Sequence, residues 1–97
     1  MRIVVKNVGE IPKVVEVENT LETYQNIVGG YIETYPFVEG MLIIFNEEGK
    51  LMGLKPNMVI NGETIVGNIA IVSHGEEDFE GLSEEQLDFF RNSLMLK

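Results

Sequence analysis

The residues with the clearest potential for chemistry surround the single histidine of the chain. His74 is followed by Glu76, Glu77 and Asp78, and imidazole and carboxylate groups are common metal ligands. The segment lacks the spacing of a calcium-binding loop, however, and one histidine is a small ligand set for zinc. Because runs of like charge usually face water, we predict a solvated acidic loop here and no bound metal.

Nucleophilic catalysis lacks the residue types that it needs. The chain contains no cysteine, and Ser73 and His74 would place adjacent side chains on opposite sides of a strand, out of hydrogen-bonding reach. No pair of carboxylates lies in a recognisable acid–base motif. The sequence therefore predicts a protein without catalytic residues or cofactors, and an unrecognised enzyme is the least favoured of the function classes considered.

The pair Gly29-Gly30 has the composition of a phosphate-binding loop but not its position. Phosphate loops place glycines before the N-terminus of a helix, whereas these follow the C-terminus of a predicted helix, where the dipole is negative. We therefore predict that Gly29 is the left-handed C-terminal cap and that Gly30 allows a sharp turn into the next strand.

The most distinctive candidate for function is an acidic stretch. Residues 56 to 90 include no lysine or arginine, and the formal net charge of the chain is −9. This charge disfavours direct binding to nucleic acid or to an anionic membrane, and it favours an unknown protein partner with a basic surface. The candidate partner-binding acids are Glu76, Glu77, Asp78, Glu80, Glu84, Glu85 and Asp88.

Two interpretations of this stretch stay open. The favoured one is that the acids increase solubility and supply negative charge to the start of a helix. The alternative is that they imitate a run of phosphates and occupy the basic groove of a DNA-binding host enzyme, which they would inhibit.

A second candidate surface carries two tyrosines. Tyr31 and Tyr35 alternate with Ile32 and Thr34, so they share one face of a predicted strand with Glu33 between them. If this face is exposed, the two rings form a small surface for protein recognition. If the first helix covers it, the rings belong to the core. Burial is favoured because a short helix needs a sheet face on which to pack.

Capping signals and apolar periodicity predict two helices. The first spans residues 19–28, with Asn19 as its N-cap and Glu22 completing a capping box. The second spans residues 83–94, with Ser83 as its N-cap and Gln86 completing a capping box. The expected apolar stripes consist of Leu21, Tyr24, Ile27 and Val28 in the first helix and Leu87, Phe90 and Leu94 in the second.

The remaining segments have the patterns of strands. We expect one antiparallel hairpin from residues 3–5 and 14–18, and a second from residues 31–35 and 41–45, whose apolar second strand is central. Further expectations are strands at 51–54 and 67–73, a strand or irregular crossing over a sheet edge within 56–66, and a loop over 74–81. The predicted fold class is α+β, a mainly antiparallel sheet of four to six strands with two helices packed on it.

Length and composition bound the remaining properties. With 97 residues, the chain is expected to form a single domain over residues 1–97. The absence of cysteine excludes disulfides, and no segment has the apolar length of a signal peptide or a membrane span. We expect a cytoplasmic protein, and its oligomeric state stays open.

Several short motifs, in the same order, resemble those of a known family. They are Ile27-Val28-Gly29-Gly30-Tyr31-Ile32-Glu33, Asn46-Glu47-Glu48-Gly49-Lys50-Leu51, Gly53-Leu54, Pro56-Asn57, Ile65-Val66-Gly67-Asn68 and Leu82-Ser83-Glu84-Glu85-Gln86. The family is a group of small domains of unknown function, numbered three-eight-four-six, from Gram-positive bacteria, phages and mobile elements. Its members often carry Gly-Thr where this chain has Gly67-Asn68. The resemblance implies a mobile-element setting and a stand-alone domain, and it brings no established activity or catalytic residues. The leading expectation for function is a non-catalytic binding or accessory protein that acts by protein–protein contact.

Overall fold

The protein is described by a computed structural model, in which residues 1–92 are described. These residues form eight strands and two α-helices, numbered here in chain order. The strands are β1 (Arg2–Lys6), β2 (Lys13–Glu16), β3 (Ile32–Pro36), β4 (Met41–Asn46), β5 (Pro56–Ile60), β6 (Glu63–Val66), β7 (Ile69–His74) and β8 (Phe79–Glu80). The helices are α1 (Leu21–Val28) and α2 (Glu84–Arg91), and a short 3-10 turn, Val38–Gly40, joins β3 to β4.

Six strands form one antiparallel sheet with the order β2-β1-β7-β4-β3, and β8 pairs with β7 beside this path. The strands β5 and β6 form a separate two-stranded sheet. The predicted α+β class, with a mainly antiparallel sheet and two helices, is therefore confirmed. Strands β7 and β4 lie inside the sheet, which explains their nearly continuous apolar sequences. Strands β2 and β3 are its two edges.

Alternation along the strands divides the core between the two faces of the sheet. Helix α1 packs on one face, where Tyr24 and Val28 meet the buried residues Ile3, Val5, Ile44, Ala70 and Val72. Helix α2 and the β5–β6 hairpin cover the other face. The cluster there consists of Val4, Met41, Ile43, Ile60, Ile65, Ile69, Ile71, Leu82, Leu87 and Phe90.

The β5–β6 hairpin differs from the expected single strand or irregular crossing. Asn61 and Gly62 connect its strands with φ values of 51° and 79°, and such a pair of left-handed residues is the tightest common connection between antiparallel strands. The hairpin covers a face of the main sheet, through Ile60 and Ile65, and does not cover an edge. Asn57 anchors it, because its amide nitrogen donates to the carbonyl oxygens of Lys6 and Gly67, at 2.8 Å each.

Three smaller expectations were also wrong. Residues 51–53 form a turn and not a strand, and the expected loop over 74–81 contains β8, which pairs with the end of β7. Leu21 was placed on the apolar stripe of α1 but is 58% exposed, at the first residue of the helix.

The N-cap of α1 is Thr20 and not Asn19. The Thr20 hydroxyl accepts a hydrogen bond from the backbone N–H of Thr23, at 3.2 Å. The Asn19 side chain is engaged elsewhere: its oxygen accepts from the Tyr24 hydroxyl at 2.6 Å, and its nitrogen donates to the Phe79 carbonyl at 2.9 Å. The Tyr24 hydroxyl therefore occupies the oxygen that an N-cap would use, and the helix begins at Leu21 after Thr20.

The start of α2 agrees with the sequence. The Ser83 hydroxyl accepts from the Gln86 N–H at 3.1 Å, and the Gln86 side chain accepts from the Ser83 N–H at 3.0 Å. The Gln86 amide also donates to the Glu39 carbonyl and to the Ser73 hydroxyl. The described helix ends at Arg91, and the predicted continuation to Leu94 lies outside the described residues.

The glycine pair forms the expected helix end and corner. Gly29 has φ 80°, in the left-handed region, and the N–H groups of Gly29 and Gly30 both donate to the Gln25 carbonyl, at 2.8 and 3.2 Å. Gly30 is needed for a different reason, since a Cβ atom there would lie 2.9 Å from the side-chain nitrogen of Asn46. The missing side chain of Gly30 leaves the space that Asn46 occupies.

Asn46, at the end of β4, is the polar centre of this corner, and it is only 2% exposed. Its side-chain nitrogen donates to the Val28 carbonyl at 3.2 Å and contacts the Met52 sulfur at 3.6 Å. Its oxygen accepts from the Glu48 N–H at 2.8 Å. One buried amide therefore joins the end of α1, the end of β4 and the turn after β4.

We predict that Gly30→Ala and Asn46→Ala are energetically coupled. Gly30→Ala should lower the free energy of unfolding by about 1–3 kcal/mol, because it displaces a buried, hydrogen-bonded amide. In the Asn46→Ala background the same change should cost clearly less, since the obstructing side chain is gone. Urea unfolding of the two single variants and the double variant measures the difference.

Gly29→Ala is the matched control for this cycle. A Cβ atom at Gly29 would meet no atom within 4 Å, so its expected cost of about 1 kcal/mol comes from the left-handed backbone alone. That cost should be the same with or without Asn46→Ala. Additive costs for Gly30→Ala and Asn46→Ala would contradict the close packing of the two residues.

Candidate binding surface along the β3 edge

The two tyrosines do not share a surface under α1. Tyr31 precedes β3 and is 66% exposed, whereas Tyr35 is half-buried against the core on the α2 side of the sheet. Ile32, and not Tyr35, faces α1. The expectation that the first helix covers both rings is therefore wrong, because α1 packs on the face that carries the even-numbered residues of β3.

The outer edge of β3 has no partner strand among the described residues. Tyr31 accepts a hydrogen bond from the Glu47 N–H, and Phe37 donates one to the Met41 carbonyl, both at 2.9 Å. In an antiparallel ladder bonded positions recur every second residue, so the backbone of Glu33 and Tyr35 also points towards β4. The backbone N–H and C=O groups of Ile32 and Thr34 point away from the sheet.

Five clefts border this short edge, each lined by at least one of residues 30–38. On the α2 side, clefts of about 350 and 260 Å³ include Tyr35 and Pro36, respectively. Near the glycine corner, a cleft of about 320 Å³ includes Tyr31. On the α1 side, clefts of about 250 and 410 Å³ include Ile32 and Thr34, respectively. Four of these five clefts include a residue of β3 itself.

The cleft on the α2 side of β3 combines carboxylates with an apolar floor. Glu33 and Glu63 line it together with the rings of Tyr35 and Phe45. Lys50 also lines this cleft, but its ammonium group forms an exposed ion pair with Glu63 at 3.0 Å. Exposed pairs of this kind are weak and open to exchange with another cation.

The largest of the five clefts, about 410 Å³, lies on the α1 side and is more polar. Thr34 and Leu42 line it on the sheet, and residues 74–79 line it opposite. We call residues 74–80, which run from the end of β7 through β8, the acidic hairpin. It brings Glu76 and Glu77 to the same cleft as Thr34.

Contacts with α1 hold the acidic hairpin in place. The rings of Phe79 and Tyr24 meet edge to face with their centroids 5.3 Å apart, and Asn19 bonds both residues, as described above. Asp78 accepts a hydrogen bond from the Phe79 N–H at 2.8 Å. Burial, and secondarily the negative charge of Asp78, raise the pKa of Tyr24 to about 12.

The seven acids of the candidate stretch do not form one uniform surface. Glu84 binds Arg2 at 2.6 Å and Arg91 at 3.1 Å, and Asp88 binds Arg91 at 2.9 Å. Hydrogen bonds from Arg2 and then Arg91 lower the pKa of Glu84, and those to Asp88 and then Glu84 raise the pKa of Arg91. Within residues 1–92, no ion pair within 4.0 Å engages Glu76, Glu77, Asp78, Glu80 or Glu85.

Sequence reasoning missed two apolar residues near Tyr31. Leu51 is 88% exposed and Met52 is 56% exposed, both in the turn after β4. Met52 lines the same cleft as Tyr31, and Leu51 lines the cleft on the α2 side. The two flanking glycines, Gly49 and Gly53, are a turn signal, but the apolar residues between them suggested a strand.

The described residues also bear on metals and membranes. Within residues 1–92, no three or more histidine, aspartate and glutamate side chains are grouped in a way that could hold a metal ion. Neither helix of this part of the chain combines the length and apolarity needed to cross a membrane.

We predict that Tyr24 loses its proton near pH 12, and that stability falls on the way there. The unfolded chain releases this proton near the ordinary pKa of 10.0, so the free energy of unfolding declines as the pH rises from about 10 towards 12. Asp78→Asn should lower the pKa of Tyr24, since it removes a neighbouring negative charge. Ultraviolet absorbance of the phenolate and urea unfolding across this pH range measure both effects.

Tyr24→Phe should abolish the late titration, and Tyr31→Phe is the control that retains it. The raised pKa depends on the burial of Tyr24 and on the nearby charge of Asp78. If Tyr24 had its ordinary pKa in the folded protein, the packing of the acidic hairpin against α1 would be contradicted.

Comparison with known proteins identifies the family but gives no activity. No curated protein and no solved structure matches the chain significantly. Residues 1–95 match the family model described as Domain of unknown function (DUF3846). With nearly the whole chain matched, this protein belongs to the DUF3846 family.

Proposed function

We propose that the chain is a non-catalytic accessory protein of a bacterial mobile element, and that it acts by binding another protein along β3. The observation that carries the proposal is that four clefts include residues of β3, an edge strand without a partner strand among residues 1–92. Concave surface and unpaired backbone groups are both features that a protein partner uses.

The side chains at one end of this edge support the same conclusion. Tyr31 and Met52 are large, exposed and line the cleft at the glycine corner, and tyrosine and methionine are enriched at protein interfaces. The buried amide of Asn46 holds the turn that carries Met52. A prearranged apolar site loses little entropy when a partner binds.

We predict that Thr34→Pro weakens capture of the partner by about tenfold or more. Proline removes the outward N–H of Thr34 without breaking a bond to β4, and Pro36 already occupies an equivalent position on the same strand. Affinity capture from host lysate with the tagged protein, quantified by mass spectrometry against the unchanged protein, measures the loss. Tyr31→Ala is a second test that leaves the backbone intact.

Val14→Pro is the matched control on the opposite edge. Val17 donates to the Met1 carbonyl, and β1 and β2 pair in the same register, so the N–H of Val14 also points away from the sheet. This variant should capture the partner as well as the unchanged protein. If Thr34→Pro and Tyr31→Ala both folded and captured every protein unchanged, binding along β3 would be wrong.

A second candidate function, the phosphate mimic, is supported by the unpaired acids of the acidic hairpin. Glu76, Glu77 and Glu80 lie on a short hairpin and form no ion pair with a basic residue in the described part of the chain. Such a row of carboxylates suits the basic groove of a DNA-binding enzyme. Glu84 and Asp88 are less suited, because Arg2 and Arg91 already bind them.

The mimic predicts competition between the protein and DNA. A captured DNA-binding protein should be released by duplex DNA, and Glu76→Gln/Glu77→Gln should weaken its capture by about tenfold. Glu10→Gln/Glu16→Gln removes the same charge from the β1–β2 hairpin and should have little effect. Capture that withstands duplex DNA, or that weakens equally in both double variants, would exclude a specific phosphate mimic.

A further inference from the structure

We propose that the β3 edge binds an extended, basic segment of the partner, which adds to the main sheet as a further strand. This inference rests on the proposed function and specifies the mode of binding and the chemistry of the partner. It follows from the direction of the backbone groups of β3 and from the charge of the clefts on both of its faces.

The backbone of β3 offers a short ladder. Ile32 and Thr34 each present one N–H and one C=O outward, and Pro36 presents only its C=O. An added strand therefore has five outward groups to pair with, two N–H and three C=O, and Pro36 marks the end of the ladder. Main-chain bonds to such an edge provide affinity for extended peptides of many sequences.

The usual protection of an edge strand is weak at β3. Proteins commonly guard exposed edges with lysine, proline or a covering loop. Here Pro36 guards only one end, and the charged residue within the strand is Glu33. The edge therefore repels other acidic strands and remains open to a basic one.

The two faces of the edge select the side chains of the added strand. Successive residues of a strand point to opposite faces, so an added segment places side chains alternately towards the two largest clefts. One cleft combines Glu33 and Glu63 with the rings of Tyr35 and Phe45. The other combines Glu76 and Glu77 with Leu42.

Both clefts thus place carboxylates beside apolar side chains, and the cleft on the α1 side is the more polar of the two. This arrangement fits lysine and arginine, whose aliphatic stems lie on apolar surface while their charged heads reach carboxylates. A segment with basic residues at successive positions would fill both clefts, whereas a segment with basic residues on one face would fill only one.

A second copy of this chain is a poor occupant of the edge. Each copy carries a net charge of −9, and antiparallel pairing of two β3 strands would bring Glu33 and the acidic hairpin of each copy towards those of the other. Like charges across paired strands are destabilising. The occupant is therefore a different protein with a basic extended segment.

The test uses a fluorescent synthetic peptide of about ten residues, enough to span β3 at the usual rise of a strand. It repeats two lysines and one valine, so lysines point to both faces of the added strand. The expected result is saturable binding that weakens by about tenfold for Thr34→Pro and stays unchanged for Val14→Pro. A peptide of the same charge with proline replacing every valine should bind weakly.

Hydrogen exchange provides a second test, because attraction by charge alone would not protect backbone amides of β3. On binding of the lysine–valine peptide, the amides of Ile32 and Thr34 should become protected, because they acquire carbonyl partners. Glu76→Gln/Glu77→Gln should weaken binding and reduce its dependence on salt, whereas Glu10→Gln/Glu16→Gln should leave both nearly unchanged.

The outcomes separate this inference from the proposed function. The strand addition would be overturned if neither Thr34→Pro nor the replacement of valine by proline in the peptide weakened binding, or if the lysine–valine peptide did not bind at all. If the lysate partner still depended on Thr34 and Tyr31, the proposed function would stand without it. A dimer of the protein that Thr34→Pro dissociates would assign the edge to a second copy and would also overturn the inference.

Discussion

The buried amide of Asn46 is the interaction on which the position of β3 depends. Three chain segments meet at this side chain. They are the end of α1, through its last carbonyl, the turn after β4, and Gly30, whose lack of a side chain leaves room for the amide. A buried amide that is fully bonded fixes one geometry, because any other leaves polar groups without partners. The direction in which the chain leaves α1 and enters β3 is thereby set, and with it the edge that the sheet presents to solvent.

Local sequence signals were sufficient for features whose partners lie nearby in the chain. The capping box of Ser83 and Gln86 and the left-handed cap at Gly29 each involve residues within four positions of one another. Asn19 failed as a predicted cap because its oxygen accepts from the Tyr24 hydroxyl, and its nitrogen bonds Phe79, 60 positions away, a contact that no local pattern reports. The β5–β6 hairpin is a different case, since Asn61-Gly62 is a strong turn signal that was present but not used.

The candidate surface could be anticipated only in part. The acidic stretch is visible in the composition, but its division between paired and unpaired acids depends on where Arg2 and Arg91 lie in space. The open edge of β3 follows from the order of the strands in the sheet. The alternation of apolar and polar residues along each strand does not predict that order. The same alternation correctly grouped Glu33 with Tyr35, yet it could not tell which face α1 would cover, because that choice depends on contacts with β4 and β7.

The position of β7 between β1 and β4 has a consequence for synthesis of the chain. The first and second hairpins, β1–β2 and β3–β4, are complete by residue 46, but they join only through a strand that ends at His74. While the ribosome is still making the intervening residues, two half-sheets exist, each with an apolar strand open on one side. Nascent chains of this protein therefore pass through an interval in which β1 and β4 are exposed to aggregation, and release of β7 from the ribosome ends it.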